Sequence, residues 1–248
     1  MNKRNKAAEK EFFDQTFETA SRARVRKFYA IDCNSTHAYE KYLFTHGAGK
    51  RVLEYGCGLG SHAYKLAEIG AKVTGIDISE VAIRKAADTA QQRSLDIDFV
   101  RVDAENMEFP DNTFDVICGK GILHHLNLAP AFAEIVRVLK PDGRAVFIEP
   151  LGLNPAINWF RNRTPDLRTE DERPMRPSDF RLAQKHFGTC KLTHYHFTSL
   201  LAVPLRSTPL FKTAVACFES IDRLLFRMIP GLKWWAWKVI VKLEAPKK

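Results

Sequence analysis

The 248-residue sequence has no apolar run of about 18 residues, and its basic, polar first ten residues carry no apolar core. Neither a membrane-spanning helix nor a secretory leader is expected. Its cysteines, Cys33, Cys57, Cys118, Cys190 and Cys217, form no Cys-x-x-Cys pair and no even framework. That argues against a zinc site and a disulfide scaffold, so no metal is expected and a reducing, cytoplasmic setting is. A basic stripe interleaved with aromatics is missing too. The net charge of +9 sits at the ends: residues 1–30 carry 8 Lys/Arg against 4 Asp/Glu, residues 201–248 carry 9 against 3, and the remainder 21 against 22. No nucleic-acid partner is expected. The basic ends read as solvated surface, with an acidic partner or an anionic membrane as the other reading.

What is present is organised around Val52–Gly60, Val-Leu-Glu-Tyr-Gly-Cys-Gly-Leu-Gly. An apolar pair, an acid and three glycines at alternate positions describe a buried strand entering a tight turn, where backbone N–H groups can approach a ligand. A helix over 61–69 follows. From there strands and helices alternate: a strand over 71–76 ending at Asp77, a helix over 80–92 capped by Ser79, a strand over 97–102 ending at Asp103, a strand over 114–118 followed by Gly119-Lys120-Gly121, a helix over 128–139 stopped by Pro141-Asp-Gly143, and a strand over 144–149. Such alternation predicts an α/β fold with a parallel sheet between helical layers, its ligand beyond the carboxyl ends of the strands. We expect one domain in three parts: a helical cap over 1–49, a ligand-binding core over 50–150, and insertions with final strands over 150–248 that build a second pocket.

Four acidic or glycine features fall at successive strand ends: Glu54 with Gly56, Gly58 and Gly60; Asp77; Asp103; and Gly119-Lys120. An acid after the second strand can accept both hydroxyls of a ribose, and one after the third can read an adenine edge. Glu54 can face a cation. Gly-x-Gly-x-Gly departs from the Gly-x-Gly-x-x-Gly that holds a pyrophosphate, which points to a ligand carrying an amine instead.

These blocks, with Val-Thr-Gly-Ile-Asp-Ile-Ser (73–79), the run 102–115 and Leu-Lys-Pro-Asp-Gly-Arg-Ala-Val-Phe-Ile-Glu-Pro (139–150), resemble the class I S-adenosylmethionine-dependent methyltransferases over about residues 50–150. The resemblance implies a Rossmann-like three-layer sandwich with a seven-stranded, mostly parallel sheet whose last strand is antiparallel, lying between the fifth and the sixth. It implies S-adenosyl-L-methionine as cofactor. The methionine portion would lie at Glu54 and the Gly56-Cys57-Gly58 turn through Gly60, the ribose at Asp77, the adenine against Ile78 and read by Asp103, Ala104 and Glu105. Backbone at Gly119 or Lys120 would meet the methionine amine, with Tyr29 as a further contact from the cap.

Methyl transfer from a sulfonium needs positioning above all, and a base only where the acceptor is a hydroxyl. His124 and His125, just past the fourth strand, and Glu149, ending the fifth, are the candidates; no third metal ligand is evident beside the two histidines. His194 and His196 are read as structural, on one face of a strand over 190–198. Apolar and aromatic residues in 200–229 favour a small apolar or amphipathic acceptor and O-methylation. C-methylation of a quinone-like ring, peptide or protein methylation, and cofactor binding without catalysis remain open. The segment 234–243, rich in Trp and Lys, reads either as the final strand, which Val239-Ile240-Val241 favours, or as a peripheral membrane contact.

Overall fold

The structure, a computed structural model, describes residues 5–19, 31–165, 169 and 172–248. Among the described residues two helices come first, α1 (Lys6–Thr19) and α2 (Cys33–Gly47). Then follow β1 (Arg51–Tyr55), α3 (Ser61–Glu68), β2 (Lys72–Asp77), α4 (Glu80–Gln92), β3 (Ile97–Arg101), β4 (Phe114–Lys120), α5 (Leu128–Val138) and β5 (Leu139–Pro150). The remainder holds α6 (Pro155–Asn162), α7 (Pro177–His186), β6 (Phe187–Tyr195), α8 (Phe211–Met228) and β7 (Lys238–Pro246). The seven strands form one sheet in the order β3-β2-β1-β4-β5-β7-β6. Only β7 is antiparallel to its neighbours, β5 and β6, as the resemblance implied.

Strand order reverses between β1 and β4, and the period of two along the central strands feeds two cores. Leu53, Ile117, Phe147 and Val241 face α5 and α7, whereas Val52, Val116, Val146 and Ile240 face α2 and α3, where Tyr39, Leu43, Ala63 and Leu66 are buried. Both sheet faces are thus covered, which is why these strands read as continuous apolar runs. Ser79 caps α4 as expected, its Oγ accepting the Ala82 N–H at 3.1 Å.

Three boundaries differ from the sequence reading, each for a local reason. α5 passes directly into β5: Phe114 pairs with Leu139, the register then shifts, and pairing resumes at Val116 with Arg144. Pro141-Asp-Gly143 is therefore an irregularity within the strand edge and not a separate turn. β6 starts at Phe187 and stops at Tyr195, because His196 takes φ +67°, outside strand geometry. His194 and His196 accordingly do not share a strand face. β7 starts at Lys238, four residues later than expected; Trp234 and Trp235 belong to a short 3-10 turn, Pro230–Trp235. Val239-Ile240-Val241 is buried between β5 and β6, so the segment 234–243 does not lie on a membrane as a helix.

Candidate active site

A cavity of about 720 Å³ opens at the carboxyl ends of β1, β2, β4 and β5, a volume in the range of small-molecule sites. Its walls come from the Gly56–Gly58 turn, the ends of β2 and β3, the turn after β4, the start of β7, and α6; α1 crosses it with Lys6, Glu9, Phe13 and Phe17.

At one end, the turn after β1 is shaped by three glycines at φ +68°, +50° and +76° (Gly56, Gly58 and Gly60), a region that costs other residues strain. A Cβ on Gly56 would meet the Ile122 side chain at 2.6 Å. Asp77 ties this turn to the next strand end: its Oδ2 accepts the Gly58 N–H at 2.9 Å and its Oδ1 the Ser79 N–H at 2.9 Å. Burial pushes the Asp77 carboxyl up from its ordinary range, and those N–H groups oppose it. Glu54 is buried, with Oε2 accepting the Ala63 N–H at 2.8 Å and Oε1 3.3 Å from His62 Nδ1. It anchors the start of α3 to β1 while lining the cavity. Asp103 and Glu105 both meet the Lys6 ammonium, at 2.6 and 3.0 Å, and the Tyr55 hydroxyl donates to the Ala104 carbonyl. Cys57, Ile78 and Lys120 line the wall; Gly60 and Gly119 are set back from it. At Gly119 a Cβ would stand 2.9 Å from the Tyr55 carbonyl, so this glycine permits close strand packing. Tyr29 lies outside the described residues.

The donor set fits an adenosyl amino acid: an open glycine turn for the amino-acid part, a carboxylate at the second strand end for a ribose, and carboxylate and backbone groups at the third for an adenine. No metal-ligand chemistry is needed to hold it.

The other end is built on His124, in a short 3-10 turn over Leu123–His125. Glu149 is fully buried in the wall behind it. Its Oε1 accepts the Ile122 and Leu123 N–H groups, both at 2.9 Å, and its Oε2 lies 2.6 Å from His124 Nδ1. An ionised carboxylate accepts only, so the hydrogen of this contact is on Nδ1, and Nε2 is the ring nitrogen turned away from Glu149. Glu149 lines the cavity, but with both oxygens engaged it positions His124, a different part from the base the sequence offered it for. His125 packs edge-on against Phe13, 5.2 Å between centroids, with Nδ1 3.3 Å from Glu9 Oε1; burial, with His124 beside it, pushes its pKa down and keeps it neutral.

Sequence reasoning missed Glu172, which enters from the long loop after α6. Its Oε1 is 3.9 Å from His124 Nε2 and 2.8 Å from Arg161 Nη1. His124, His125 and Glu172 thus each bring a possible ligand atom within 4.8 Å of one another, the third ligand the sequence did not reveal, although the carboxylate is committed to the Arg161 guanidinium. Lys238 was missed as well: it ion-pairs with Asp32, and burial lowers its pKa to about 8. The loop's described charges pair with the helices on either side, Arg173 with Asp179 of α7 at 2.9 Å and Glu172 with Arg161 of α6; Arg163 lies over the Trp159 ring. Ile157, Phe160 and Trp237 supply apolar wall at this end.

Residues 53–147 match the family model described as "Methyltransferase domain". The chain is 36% identical over 124 residues to a ubiquinone biosynthesis O-methyltransferase of Nitrosococcus oceani, covering 48% of this chain and 52% of that protein. It is 38% identical over 99 residues to a sterol 24-C-methyltransferase of Gibberella zeae, covering 38% and 26%. The chain thus spans about half the length, or less, of these curated relatives. Among solved structures, a phosphoethanolamine N-methyltransferase 2 of Haemonchus contortus superposes with a TM-score of 0.68 at 18% identity, over 96% of this chain and 60% of that one, a likeness of fold.

Proposed function

We propose that this chain, which carries a class I S-adenosylmethionine-dependent methyltransferase domain, methylates a hydroxyl group on a small apolar or amphipathic acceptor. The observation that carries the choice of hydroxyl is the His124–Glu149 pair, an imidazole held at Nδ1 by a buried acid beside the apolar wall of Ile157, Phe160 and Trp237. Amines that are neutral at working pH and carbon nucleophiles already activated need no such base, whereas a hydroxyl does.

When bound, the cofactor supplies an electrophilic methyl group on a good, neutral leaving group. Asp77 and Asp103 would hold its ribose and adenine, and the Gly56–Gly58 turn its amino-acid part. His124 receives the hydroxyl proton at Nε2. The charge that then develops on the ring is compensated on both sides, by Glu149 at Nδ1 and by Glu172 at 3.9 Å from Nε2. Arg161 fixes Glu172 in place, and Phe13 and Phe17 of α1 with Ile157, Phe160 and Trp237 give an apolar lining against which an acceptor is held. The names of two relatives, a ubiquinone biosynthesis O-methyltransferase and a sterol 24-C-methyltransferase, support an apolar or amphipathic acceptor.

The test is transfer of a labelled methyl group from the cofactor to a panel of phenols, catechols, long-chain alcohols, amines and activated ring carbons. We expect labelled ethers, abolished in His124→Ala. Labelled amines or carbon products, formed equally well by His124→Ala, would overturn the hydroxyl assignment.

A further inference from the structure

α8 buries one side and leaves a second apolar stripe in solvent. Val215, Phe218 and Asp222 face inward, and Asp222 accepts the Phe197 and Thr198 N–H groups, fixing the helix to the preceding 3-10 turn, Thr198–Leu205. The other stripe, Cys217, Ile221, Leu224 and Met228, with Leu210 at the N-cap, repeats at spacings of four and three along α8, so it runs straight along the helix. Leu210 is 65% exposed, Leu224 57% and Met228 68%. The neighbouring turns add Leu201, Ile229 and Trp235, all exposed, with Trp235 packed on Phe197 and Phe197 on Phe226 of α8. Isolated exposed apolar residues are ordinary, but a continuous row of them is not.

Charge indicates what covers it. Between Thr198 and Trp237 the chain carries Arg206, Lys212, Arg223, Arg227 and Lys233 against only Glu219 and Asp222. Asp222 is buried, and Glu219 accepts a hydrogen bond from the Asn34 amide at 2.6 Å. Arg227 lies nearest the stripe, whereas helical spacing sets Lys212 and Arg223 on the opposite side of α8. A second copy pairing through this stripe would set basic residues against basic residues with no acid to answer them. An anionic lipid surface answers both features, taking the stripe into its acyl boundary and the Arg227 guanidinium at its headgroups, with the other basic groups adding a longer-range attraction.

We propose that α8 and its flanking turns dock the protein on an anionic membrane surface, from which the acceptor is drawn as a lipid or lipid-like molecule. The second half rests on the methyl-transfer reading above. The two ends are physically linked: Phe211, Ala214, Val215 and Phe218 of α8 share one apolar cluster with Ile157 and Trp237, which line the cavity.

The experiment is co-sedimentation of the full chain with vesicles of phosphatidylcholine alone and of phosphatidylcholine with phosphatidylglycerol. Association with the anionic vesicles is expected, falling with salt. It should drop more than about tenfold in Leu224→Glu/Met228→Glu and about fivefold in Arg227→Ala. Both variants alter exposed positions, and calorimetric binding of S-adenosylmethionine should be unchanged in them. Absence of association with anionic vesicles, equal association of the double variant, or a wild-type dimer dissociated by the double variant without any vesicle binding would each overturn the docking proposal. Absence of cofactor binding in the wild type would instead overturn the methyl-transfer reading, leaving the vesicle result to stand by itself.

Discussion

Glu149 Oε2 lies 2.6 Å from His124 Nδ1, while the other oxygen of the same carboxylate accepts the N–H groups of Ile122 and Leu123. One buried acid therefore sets both the backbone of the turn and the tautomer of the ring that the turn carries. In Glu149→Gln an amide NH₂ must face either the backbone donors or the imidazole. Turnover should fall about 100-fold, and His124→Ala by about 100- to 10,000-fold. Cofactor affinity by calorimetry should hold in both. Unchanged turnover in either variant would remove His124 as base.

Asp77 joins the glycine turn to the end of β2, accepting from Gly58 and Ser79. Replacing it by Ala removes the acceptor proposed for the ribose hydroxyls and releases two backbone donors. S-adenosylmethionine and its demethylated product should both bind at least about tenfold more weakly, in line with losing a charge-assisted hydrogen bond of about 1.5–3 kcal/mol. Asp77→Asn, which keeps one acceptor, should fall between. Equal affinity of all three proteins would remove the ribose assignment.

Lys6 reaches from α1 to Asp103 and Glu105, the acids proposed to read the adenine. α1 thus closes the cavity through contacts to the residues a cofactor would also use. Reversing the charge in Lys6→Glu sets three carboxylates together and should loosen α1. Faster release of S-adenosylhomocysteine is expected, about two- to fivefold in stopped-flow, because the pair is partly exposed and each such contact is worth well under about 1 kcal/mol. An unchanged release rate would mean α1 does not gate the site.

The central sheet was legible because its signals are local: apolar runs at strand length, a glycine turn, an acid at each strand end. Asp77, Asp103 and the Gly56–Gly58 turn meet at one cavity as their positions at strand ends require. Glu149 was found by the same logic, but its role was not, since the sequence cannot tell an acid aimed at solvent from one folded back on the N–H groups of Ile122 and Leu123. Glu172 and Lys238 were hidden for another reason. Glu172 stands 48 positions after His124 in a loop with no periodicity, and Lys238 lies in a segment favoured as the final strand, where nothing local points to its partner Asp32, 206 positions away. The exposed stripe of α8 is not legible from apolar spacing, because the polar Asp222 is turned inward with Val215 while the apolar Ile221 faces out.

His196 is fully buried, 2.8 Å from Ser35 Oγ and 3.3 Å from Ser199 Oγ, and so ties the start of α2 to the turn before α8. Burial lowers its pKa from 6.5 to about 4. Between those values the unfolded chain binds a proton that the folded chain refuses, so unfolding is favoured as pH falls through this window, and the loss is complete below about pH 4. The contribution is on the order of 3 kcal/mol. Asn accommodates the positive φ of this position and does not titrate, so His196→Asn should show a shallower decline in stability between pH 6.5 and 4, whatever its stability at neutral pH. Urea midpoints measured across that range decide the matter: parallel declines in the two proteins would mean that His196 is protonated in the folded state and that the Ser35 contact survives its charging.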